Sequence, residues 1–416
     1  MKKSTLIVII SFMLASCASV KNVASKELKE TQNELTSKLT KVSKTIGING
    51  FGVVLINENG LLYQNGFGIA GLKPLKNYDQ NTVQNIASVS KTLIGLALLK
   101  AQELGKLKLD DPINNYLPFK VNNPYYPEIP ITIRQLATHT SSINDTEFYL
   151  TKTIVLKDTD NLEENLKIDI SPTKFNPPEN KISIEEFLSN ILDKKGKWYL
   201  KEGFLNKKLG ELYNYSNIGA TLAALVIEKA TGITYDRFTT IHILKPLKMN
   251  HSGWNFKSIN FSKYTHTFQN KGKEYPYYSL CTYPDGGLLT TSEDMSKYMQ
   301  ELLRGYMGKG SILSKESYKQ YFKPQLTASN FEERSNNEYS DEYNMGLTIG
   351  FGSTGNFGHT GGDPGINSVM WFFADKKIGR YVIVNTDWNR ETLEKDQKAI
   401  YSLLEEYTEK LNNLKK

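Results

Sequence analysis

A serine and a lysine three positions apart, Ser88 and Lys91, are the two side chains of this sequence whose spacing most clearly suggests chemistry. Residues i and i+3 lie on one face of a helix, so the lysine amine can reach the serine hydroxyl. A serine hydroxyl becomes a good nucleophile only when a neighbouring group accepts its proton. A lysine amine can accept it if burial lowers the lysine pKa from its usual value of about 10.4. The pair therefore predicts a nucleophilic serine with its base, and a simple helix cap at Ser88 is the alternative.

A tyrosine and an asparagine further along the chain could take part in the same reaction. Tyr215 can pass a proton between the serine and a leaving group, and the side-chain amide of Asn217 can bind a substrate amide. A half-buried tyrosine beside a capping asparagine is the alternative interpretation. Each short pattern is common by itself, and Ser171 with Lys174 repeats the serine–lysine spacing in a proline-rich stretch.

A glycine-rich segment near the end of the chain, His359-Thr360-Gly361-Gly362, is the third candidate. It precedes a predicted strand, and glycines at a strand edge let a substrate approach the backbone closely. The alternative is a turn that carries a surface histidine. Each of the three groups alone favours its structural interpretation, whereas the three together favour a catalytic site.

Apolar periodicity and capping residues predict the helices that would position these groups. Ser88 to Leu104 is almost entirely small or apolar and is followed by Gly105, which predicts a buried helix with a glycine C-cap. A second buried helix is predicted from Ser216 to Ala230. Further helices are predicted at Thr132 to Ala137, after a capping box of Ser183 with Glu186, from Thr291 to Gly305, and from Arg390 to Leu414.

Strand patterns occur at both ends of the chain. A hairpin is predicted from a strand at Phe51 to Ile56, a turn, and a second strand that begins at Leu61. Two late strands are predicted at Ser368 to Ala374 and at Tyr381 to Asn385. The predicted fold class is therefore α/β (α+β), with a sheet from about residues 46–87 and 340–390 and a mainly helical insertion at about 106–340. Residues 144–182 are polar and predict a long loop.

The N-terminus has the pattern of an export signal. Lys2 and Lys3 precede a short apolar stretch, which ends at Cys17 in a sequence similar to a bacterial lipobox. We therefore predict a lipoprotein signal peptide at 1–16, a tether and leading helix at 17–45, and a catalytic domain at 46–416. The expected location is the bacterial cell envelope, with a lipid anchor at Cys17 as the contact with the membrane. An ordinary cleaved signal peptide is the alternative.

Composition argues against several other classes of protein. Removal of residues 1–16 takes away two lysines and no acidic residue, which lowers the formal charge from +7 to +5. This charge is spread along the chain and predicts no nucleic-acid partner. Lipidation of Cys17 would leave Cys281 as the only free thiol, which predicts a packed side chain. Neither G-x-G-x-x-G match, at 66–71 or 350–355, opens a helix, and we predict neither a cofactor nor a metal.

The three groups, in this order and context, resemble the serine β-lactamase and penicillin-recognising hydrolase family. The closest branch is similar to the group related to class C β-lactamases, which includes D,D-carboxypeptidases, D-amino-acid peptidases and carboxylesterases. The resemblance covers about residues 46–410 and extends to the stretches 136–142, 245–249 and 285–288. It implies a β-lactamase/transpeptidase-like fold, with an antiparallel sheet flanked by helices.

The resemblance also implies a role for each candidate residue. Ser88 would be the acylated nucleophile, Lys91 its base partner, Tyr215 the proton shuttle and Asn217 a substrate-binding amide. The oxyanion would be bound by the backbone N–H groups of Ser88 and Gly362.

The implied function is that of an exported serine hydrolase acting through an acyl-enzyme on a D-peptide or a small ester. His359 stands where many β-lactamases carry lysine, and a histidine is only partly charged at pH 7. This makes efficient β-lactam hydrolysis less favoured. A β-lactamase, and a catalytically silent binder of wall fragments, are the alternatives.

Overall fold

One antiparallel sheet of eight strands is built from both ends of the chain. It belongs to a computed structural model that describes residues 25–387 and 390–415. The strand order is β10-β11-β12-β13-β14-β1-β2-β3, and three further two-stranded pairs, β4 with β9, β5 with β8 and β6 with β7, lie outside it. The strands are β1 Gly50–Asn57, β2 Gly60–Leu72, β3 Leu75–Asn77, β4 Gln84–Asn85, β5 Ile154–Leu156, β6 Phe268–Asn270, β7 Lys273–Glu274, β8 Tyr278–Leu280, β9 Leu289–Thr290, β10 Asn344–Met345, β11 Gly350–Phe351, β12 Phe357–Asp363, β13 Ile366–Phe373 and β14 Ile378–Val384.

Helices cover both faces of this sheet and fill most of the middle of the chain. They are α1 at 25–43, α2 Thr92–Glu103, α3 Ile133–Ala137, α4 Glu147–Lys152, α5 Leu162–Asn165, α6 Ile184–Leu192, α7 Asn217–Thr231, α8 Tyr235–Thr239, α9 Tyr283–Gly286, α10 Ser292–Tyr306, α11 Lys315–Tyr321 and α12 Arg390–Leu414. The predicted antiparallel sheet flanked by helices, with a helical segment between its two parts, is confirmed.

The alternation of side chains along β1 divides the interior into two cores. Val54 and Ile56 point into a large core with the helices of the insertion, including α2 and α7. Val53 and Leu55 point to the other face, where they meet apolar residues of α1 and α12. Successive side chains of a strand point to opposite faces, so a strand buried on both sides is apolar at every position, as in this part of β1.

Three helices with capping side chains begin close to the positions that the sequence predicts. The side chains of Ser216, Thr291 and Ser183 each accept a hydrogen bond from the backbone N–H three residues later. Gly232 ends α7 in the left-handed conformation, with φ 72°. A residue without Cβ adopts this conformation without strain, which explains why the helix ends there.

The predicted long loop at 144–182 is wrong in part, because this segment contains α4, β5 and α5. Strand β5 pairs with β8, which lies more than a hundred residues later in the chain. The side chains of Ile154 and Leu156 are buried with Phe175 and Tyr278. Three apolar residues form a strand here because of a distant partner, and the local pattern contains no sign of that partner.

The leading helix is part of the folded unit, since Leu35 and Leu39 of α1 are fully buried against the sheet and α12. The predicted signal peptide and Cys17 lie outside the described residues. Cys281 is a buried free thiol, as predicted. Within 25–387 and 390–415, no helix is long and apolar enough to cross a membrane.

Candidate active site

Ser88 lies in a short 3₁₀ helix, Ala87–Lys91, and α2 begins directly after it at Thr92. The single helix predicted from Ser88 is therefore divided into a tight turn and an α-helix. Ser88 is the N-cap of neither, so the capping alternative is wrong. The preceding Ala87 has φ 47°, a strained value for a residue with Cβ, and its N–H donates to Asn85 Oδ1 at 2.6 Å. Strain of this kind is concentrated at functional sites, where the surrounding structure holds it in place.

Lys91 is fully buried and contacts the serine directly. Its Nζ donates to Ser88 Oγ at 2.9 Å and to the backbone oxygen of Asp285 at 2.7 Å. Burial lowers the pKa of Lys91, because a charged amine loses its hydration there, while the carboxylates of Asp285, Asp145 and Asp363 oppose the shift. The predicted pair is thus in contact, and the lysine has the environment that a base requires.

Two buried carboxyl groups near Lys91 carry less negative charge at neutral pH than two fully ionised carboxylates would. Burial raises the pKa of Asp285 to about 6, and burial together with the charge of Asp285 raises the pKa of Asp363 to about 8. Oδ2 of Asp285 accepts from Tyr149 Oη at 3.2 Å and Thr221 Oγ1 at 2.9 Å. At neutral pH Asp363 is therefore mostly protonated, which removes one of the charges that would hold a proton on Lys91.

Tyr215 lies over the same amine. The centroid of its ring is 5.0 Å from Lys91 Nζ and 6.1 Å from the centroid of the His359 ring. Burial raises the pKa of Tyr215 well above its usual value, and a hydrogen bond with the Ser88 hydroxyl opposes this only partly. The phenol therefore keeps its proton at neutral pH and can donate it.

His139, which lies in the stretch 136–142 of the family resemblance, packs against Tyr215. The two ring centroids are 4.6 Å apart, and His139 Nδ1 accepts from the backbone N–H of Ser216 at 3.2 Å. Burial, with the nearby Lys91 and His359, lowers the pKa of His139 to about 3. This ring is therefore neutral, and it fixes the position of the tyrosine without adding charge.

Asp145, which no sequence pattern indicates, binds the segment that carries Tyr215. Its Oδ1 accepts from Ser216 Oγ and the N–H of Ile218, both at 3.0 Å, and its Oδ2 accepts from the N–H of Asn217 at 3.0 Å. The side-chain amide of Asn217 also donates to Oδ2, at 2.7 Å. One donor of the predicted substrate-binding amide is thus already used within the protein. A carboxylate at a helix N-terminus is a favourable arrangement, because the free N–H groups there carry partial positive charge.

Replacing Asp145 with alanine should therefore destabilise the start of α7 and displace Tyr215. We expect a loss of about 1–3 kcal/mol in the free energy of unfolding, the range for a helix cap plus buried donors left without a partner. Urea unfolding monitored by circular dichroism measures it. Asp160→Ala is the control, because Asp160 is exposed in the same polar segment, and an equal loss in both variants would contradict the assignment.

His359 lies in β12 and is not a free cation. It is 2% exposed, and its Nδ1 lies 2.6 Å from the backbone oxygen of Thr360 and 3.8 Å from Asp341 Oδ2. Burial lowers the pKa of His359, although Asp341 opposes the shift. The ring is therefore mostly neutral at pH 7, and it cannot hold a substrate carboxylate as a lysine would.

The edge of β12 directs backbone donors into the cleft. Thr360 donates its N–H to Asp341 Oδ2 at 2.8 Å, on the side away from β13. Backbone N–H groups alternate in direction along a strand, so the N–H of Gly362, two residues on, points the same way. On the other side, a Cβ built on Gly361 would lie 2.9 Å from the nitrogen of Ser88. The two predicted oxyanion donors, Ser88 and Gly362, are thus on adjacent backbone segments.

Alanine should destabilise the protein at Gly361 and leave its stability almost unchanged at Gly362. At Gly361 the new methyl group would lie 2.6 Å from Ser368 Oγ and 2.8 Å from the Ile86 oxygen, whereas at Gly362 nothing lies closer than 3.9 Å. We expect Gly361→Ala to lower the free energy of unfolding by about 1–3 kcal/mol, the range for overpacking, and Gly362→Ala to stay within about 0.5 kcal/mol of the parent. Thermal unfolding of both variants measures this, and equal stabilities would contradict the packing described.

These residues surround one cavity of about 220 Å³. Its lining consists of Ser88, Tyr213, Tyr215, Asp341, Glu342, Met345, His359, Thr360, Gly361 and Gly362. Two of these side chains are acidic and none is lysine or arginine. The structure thus brings Ser88, Tyr215 and the segment from His359 to Gly362 together around one space, with Lys91 directly beneath the serine. Asn217 is not among the lining residues.

Comparison with known proteins gives relatives along nearly the whole chain. The sequence profile of the beta-lactamase family matches residues 35–404. The putative penicillin-binding protein PbpX of Bacillus subtilis (strain 168) is 26% identical over 397 residues, which covers 92% of this chain and 83% of the relative. A teichoic acid D-alanine hydrolase of Staphylococcus aureus is 27% identical over 334 residues, covering 78% of this chain and 69% of the relative.

A solved structure shares the fold. The beta-lactamase/D-alanine carboxypeptidase from Yersinia pestis superposes with a TM-score of 0.63 at 20% sequence identity, covering 91% of this chain and 98% of that chain.

Proposed function

We propose that this chain, which belongs to the beta-lactamase family of serine hydrolases, cleaves an amide or an ester through an acyl-enzyme formed at Ser88. The family and the fold implied by the sequence are confirmed. The reaction and the role of each residue are our proposal. The observation that carries it is the contact of 2.9 Å between Ser88 Oγ and a fully buried lysine amine.

Burial supports Lys91 as the base and Tyr215 as the acid of this site. A buried amine loses its proton more readily, whereas a buried phenol keeps its proton more firmly. Lys91 is therefore the better acceptor of the Ser88 proton, and Tyr215 is the better donor to the leaving group.

The proposed reaction has two stages, acylation of Ser88 and hydrolysis of the acyl-enzyme. The Ser88 proton passes to the neutral Lys91 amine as Oγ bonds to the substrate carbonyl carbon, and the oxyanion is bound by the N–H groups of Ser88 and Gly362. The bond to the leaving nitrogen or oxygen breaks, Tyr215 gives that atom a proton, and Lys91 returns one to Tyr215. A water molecule next attacks the acyl carbon, and its proton passes to Lys91. The bond between the acyl carbon and Ser88 Oγ then breaks, the carboxylic acid product leaves, and Lys91 returns the proton to Oγ, which restores the Ser88 hydroxyl.

For the substrate, we propose a D-alanyl ester or amide of a cell-envelope polymer with a free amino group. Support comes from the cleft, where Asp341 and Glu342 line the wall and His359 is the only basic side chain among its lining residues. An ammonium group suits such a wall, and a carboxylate does not. Support also comes from a relative that is named a teichoic acid D-alanine hydrolase.

A fluorophosphonate probe and a matched pair of esters test the proposal. We expect the probe to add its mass to the peptide that contains Ser88. We also expect kcat/KM for a D-alanyl ester to exceed that for the N-acetyl-D-alanyl ester by about tenfold, or about 1.4 kcal/mol. Glu342→Gln should reduce this ratio without lowering the rate for the acetylated ester. An unlabelled Ser88 would favour a silent binder, and fast cephalosporin turnover would favour a β-lactamase.

We propose further that the protein is exported and anchored to the membrane by a lipid at Cys17, on the sequence pattern alone. Metabolic labelling with an alkyne-bearing palmitate tests this. The parent should take up label, and Cys17→Ser should not. Label in both proteins, or in neither, would contradict a lipid at this position.

A further inference from the structure

Asp341 occupies hydrogen-bond donors of β12 at the catalytic cavity. Its Oδ2 accepts from the N–H of Thr360 at 2.8 Å and from the Thr360 hydroxyl at 3.1 Å. The same oxygen lies 3.8 Å from Nδ1 of His359. All three residues line the cavity that contains Ser88. A carboxylate of the protein itself is thus bound at the strand edge beside the nucleophile.

This carboxylate continues the edge of β12 from the point where the neighbouring strand ends. Strand β11 pairs with the first two residues of β12, Phe357 and Gly358. The next N–H on this edge belongs to Thr360 and is bound by Asp341. The one after it belongs to Gly362, the proposed oxyanion donor, because N–H groups alternate in direction along a strand. A substrate held at the oxyanion site therefore lies next to Asp341.

Contacts with β11 hold Asp341 in this place. A Cβ built on Gly350 would overlap the Cβ and the backbone oxygen of Asp341, so this glycine lets the segment approach the sheet closely. The N–H of Tyr343, two residues after Asp341, donates to the backbone oxygen of Phe351 at 3.1 Å. The Asp341 side chain is only 17% exposed. Its carboxylate is therefore a fixed part of the cavity wall.

The position of Tyr215 indicates which part of a substrate meets Asp341. In the proposed reaction Tyr215 gives a proton to the leaving atom. The centroid of its ring is 6.1 Å from that of His359, and His359 lies beside Asp341. The leaving group therefore faces Tyr215, His359 and Asp341.

A carboxylate on the leaving group would compete with Asp341. It would need the same N–H and hydroxyl of Thr360, and two like charges at one set of donors repel each other. Burial lowers the pKa of His359, so a mostly neutral ring does not offset this repulsion. A leaving group without a carboxylate meets no such competition.

We propose that Asp341 is a specificity-determining residue, which occupies an anion site of the cleft and restricts the reaction to leaving groups without a carboxylate. The hydroxyl of a polyol or sugar chain is such a leaving group. The amino acid or hydroxy acid that a carboxypeptidase releases is not. This inference rests on the proposed hydrolysis at Ser88 and narrows its substrate class. Removal of the Asp341 charge should open the site to acids.

A matched pair of esters tests the proposal in the full-length protein. The D-alanyl ester of D-lactate has a carboxylate on its leaving group, and the D-alanyl ester of D-lactamide has a neutral carboxamide at the same place. We expect the parent to prefer the lactamide ester at least about 50-fold in kcat/KM, because like charges in one site are strongly unfavourable. Asp341→Asn keeps the shape of the side chain and should reduce this preference to about fivefold or less.

Other variants separate the charge of Asp341 from its shape and its surroundings. Asp341→Ala is the second variant without the charge, and it should reduce the preference as Asp341→Asn does. Glu333→Gln is the matched control, because Glu333 is an exposed acid of the same stretch and its change removes the same charge. It should keep the preference of the parent. A parent without any preference, or full preference in both Asp341 variants, would overturn the proposal.

A binding measurement distinguishes this inference from the proposed function. Calorimetric titration of Ser88→Ala with the lactate ester measures binding without turnover. We expect the ester to bind at least about tenfold more tightly when Asp341→Asn is added to Ser88→Ala. This gain, together with no hydrolysis by the parent, would contradict the proposed function and leave the role of Asp341 standing. Hydrolysis by the parent without the gain in binding would support the function and overturn the role.

Discussion

Ser88→Ala should lower kcat/KM for a D-alanyl ester by at least about 10⁴-fold, the scale of loss seen when a catalytic serine is removed. The Lys91 amine does not replace the serine as the nucleophile, because it lies fully buried beneath it. The fold should be unaffected, since the Ser88 side chain caps neither of the helices next to it. Steady-state hydrolysis, with intact-mass detection of the acyl-enzyme, measures the loss.

A matched control exists in the same chain. Ser171 and Lys174 repeat the spacing of the catalytic pair, but both are exposed and Ser171 bonds to Asp169 instead. Ser171→Ala should therefore retain the activity of the parent within about twofold. A Ser88→Ala protein that still hydrolyses the ester and still takes up the fluorophosphonate would show that the nucleophile lies elsewhere.

Lys91→Met should produce the second large loss, about 10²–10⁴-fold in the rate of acylation, the usual range for a group that transfers a proton. Methionine fills a similar volume without an amine, so the core around α2 stays packed. Lys174→Met, at the exposed lysine, serves as the control. Single-turnover acylation by a fluorogenic ester measures the effect.

The pH dependence gives this variant a separate test. In the parent, acylation should fall as the pH drops through the lowered pKa of Lys91, because only the neutral amine can accept a proton. The folded state also binds fewer protons at this site than the unfolded chain, so stability should rise with pH between the folded pKa and about 10.4. Lys91→Met should lack both slopes. An unchanged acid limb in the variant would identify another group as the base.

The order of the motifs was sufficient to predict the main members of the site. Ser88 and Lys91 are three residues apart, and their contact depends only on the local helical turn. Because successive residues of a strand point to opposite faces, His359 and Gly361 lie on the same face of β12, the face that is turned toward Ser88. The central strands β1, β13 and β14 were also predictable, because they are seven or eight residues long, mostly apolar and close to clear turns.

The remainder depends on contacts between distant segments. Asp145 bonds to the start of α7 across 72 residues, and Asp341 bonds to Thr360 from an irregular stretch without apolar periodicity. The residues next to each aspartate in the sequence do not distinguish it from an ordinary acidic residue at the surface. For the same reason, the sequence predicts that the Asn217 amide binds the substrate, whereas in the structure this amide donates a hydrogen bond to Asp145.

The pairing of β1 with β14 sets the time at which a newly made chain can become active. Phe51 faces Val384 in this ladder, and Ser368 Oγ donates to the Ile86 oxygen from 282 residues away. The ribosome must therefore synthesise almost the whole catalytic unit before β1 has its second neighbour and before β12 reaches the serine. Contacts so distant along the chain form slowly. The nucleophile thus exists long before its cleft does, and a chain that is still being synthesised has no assembled hydrolytic site.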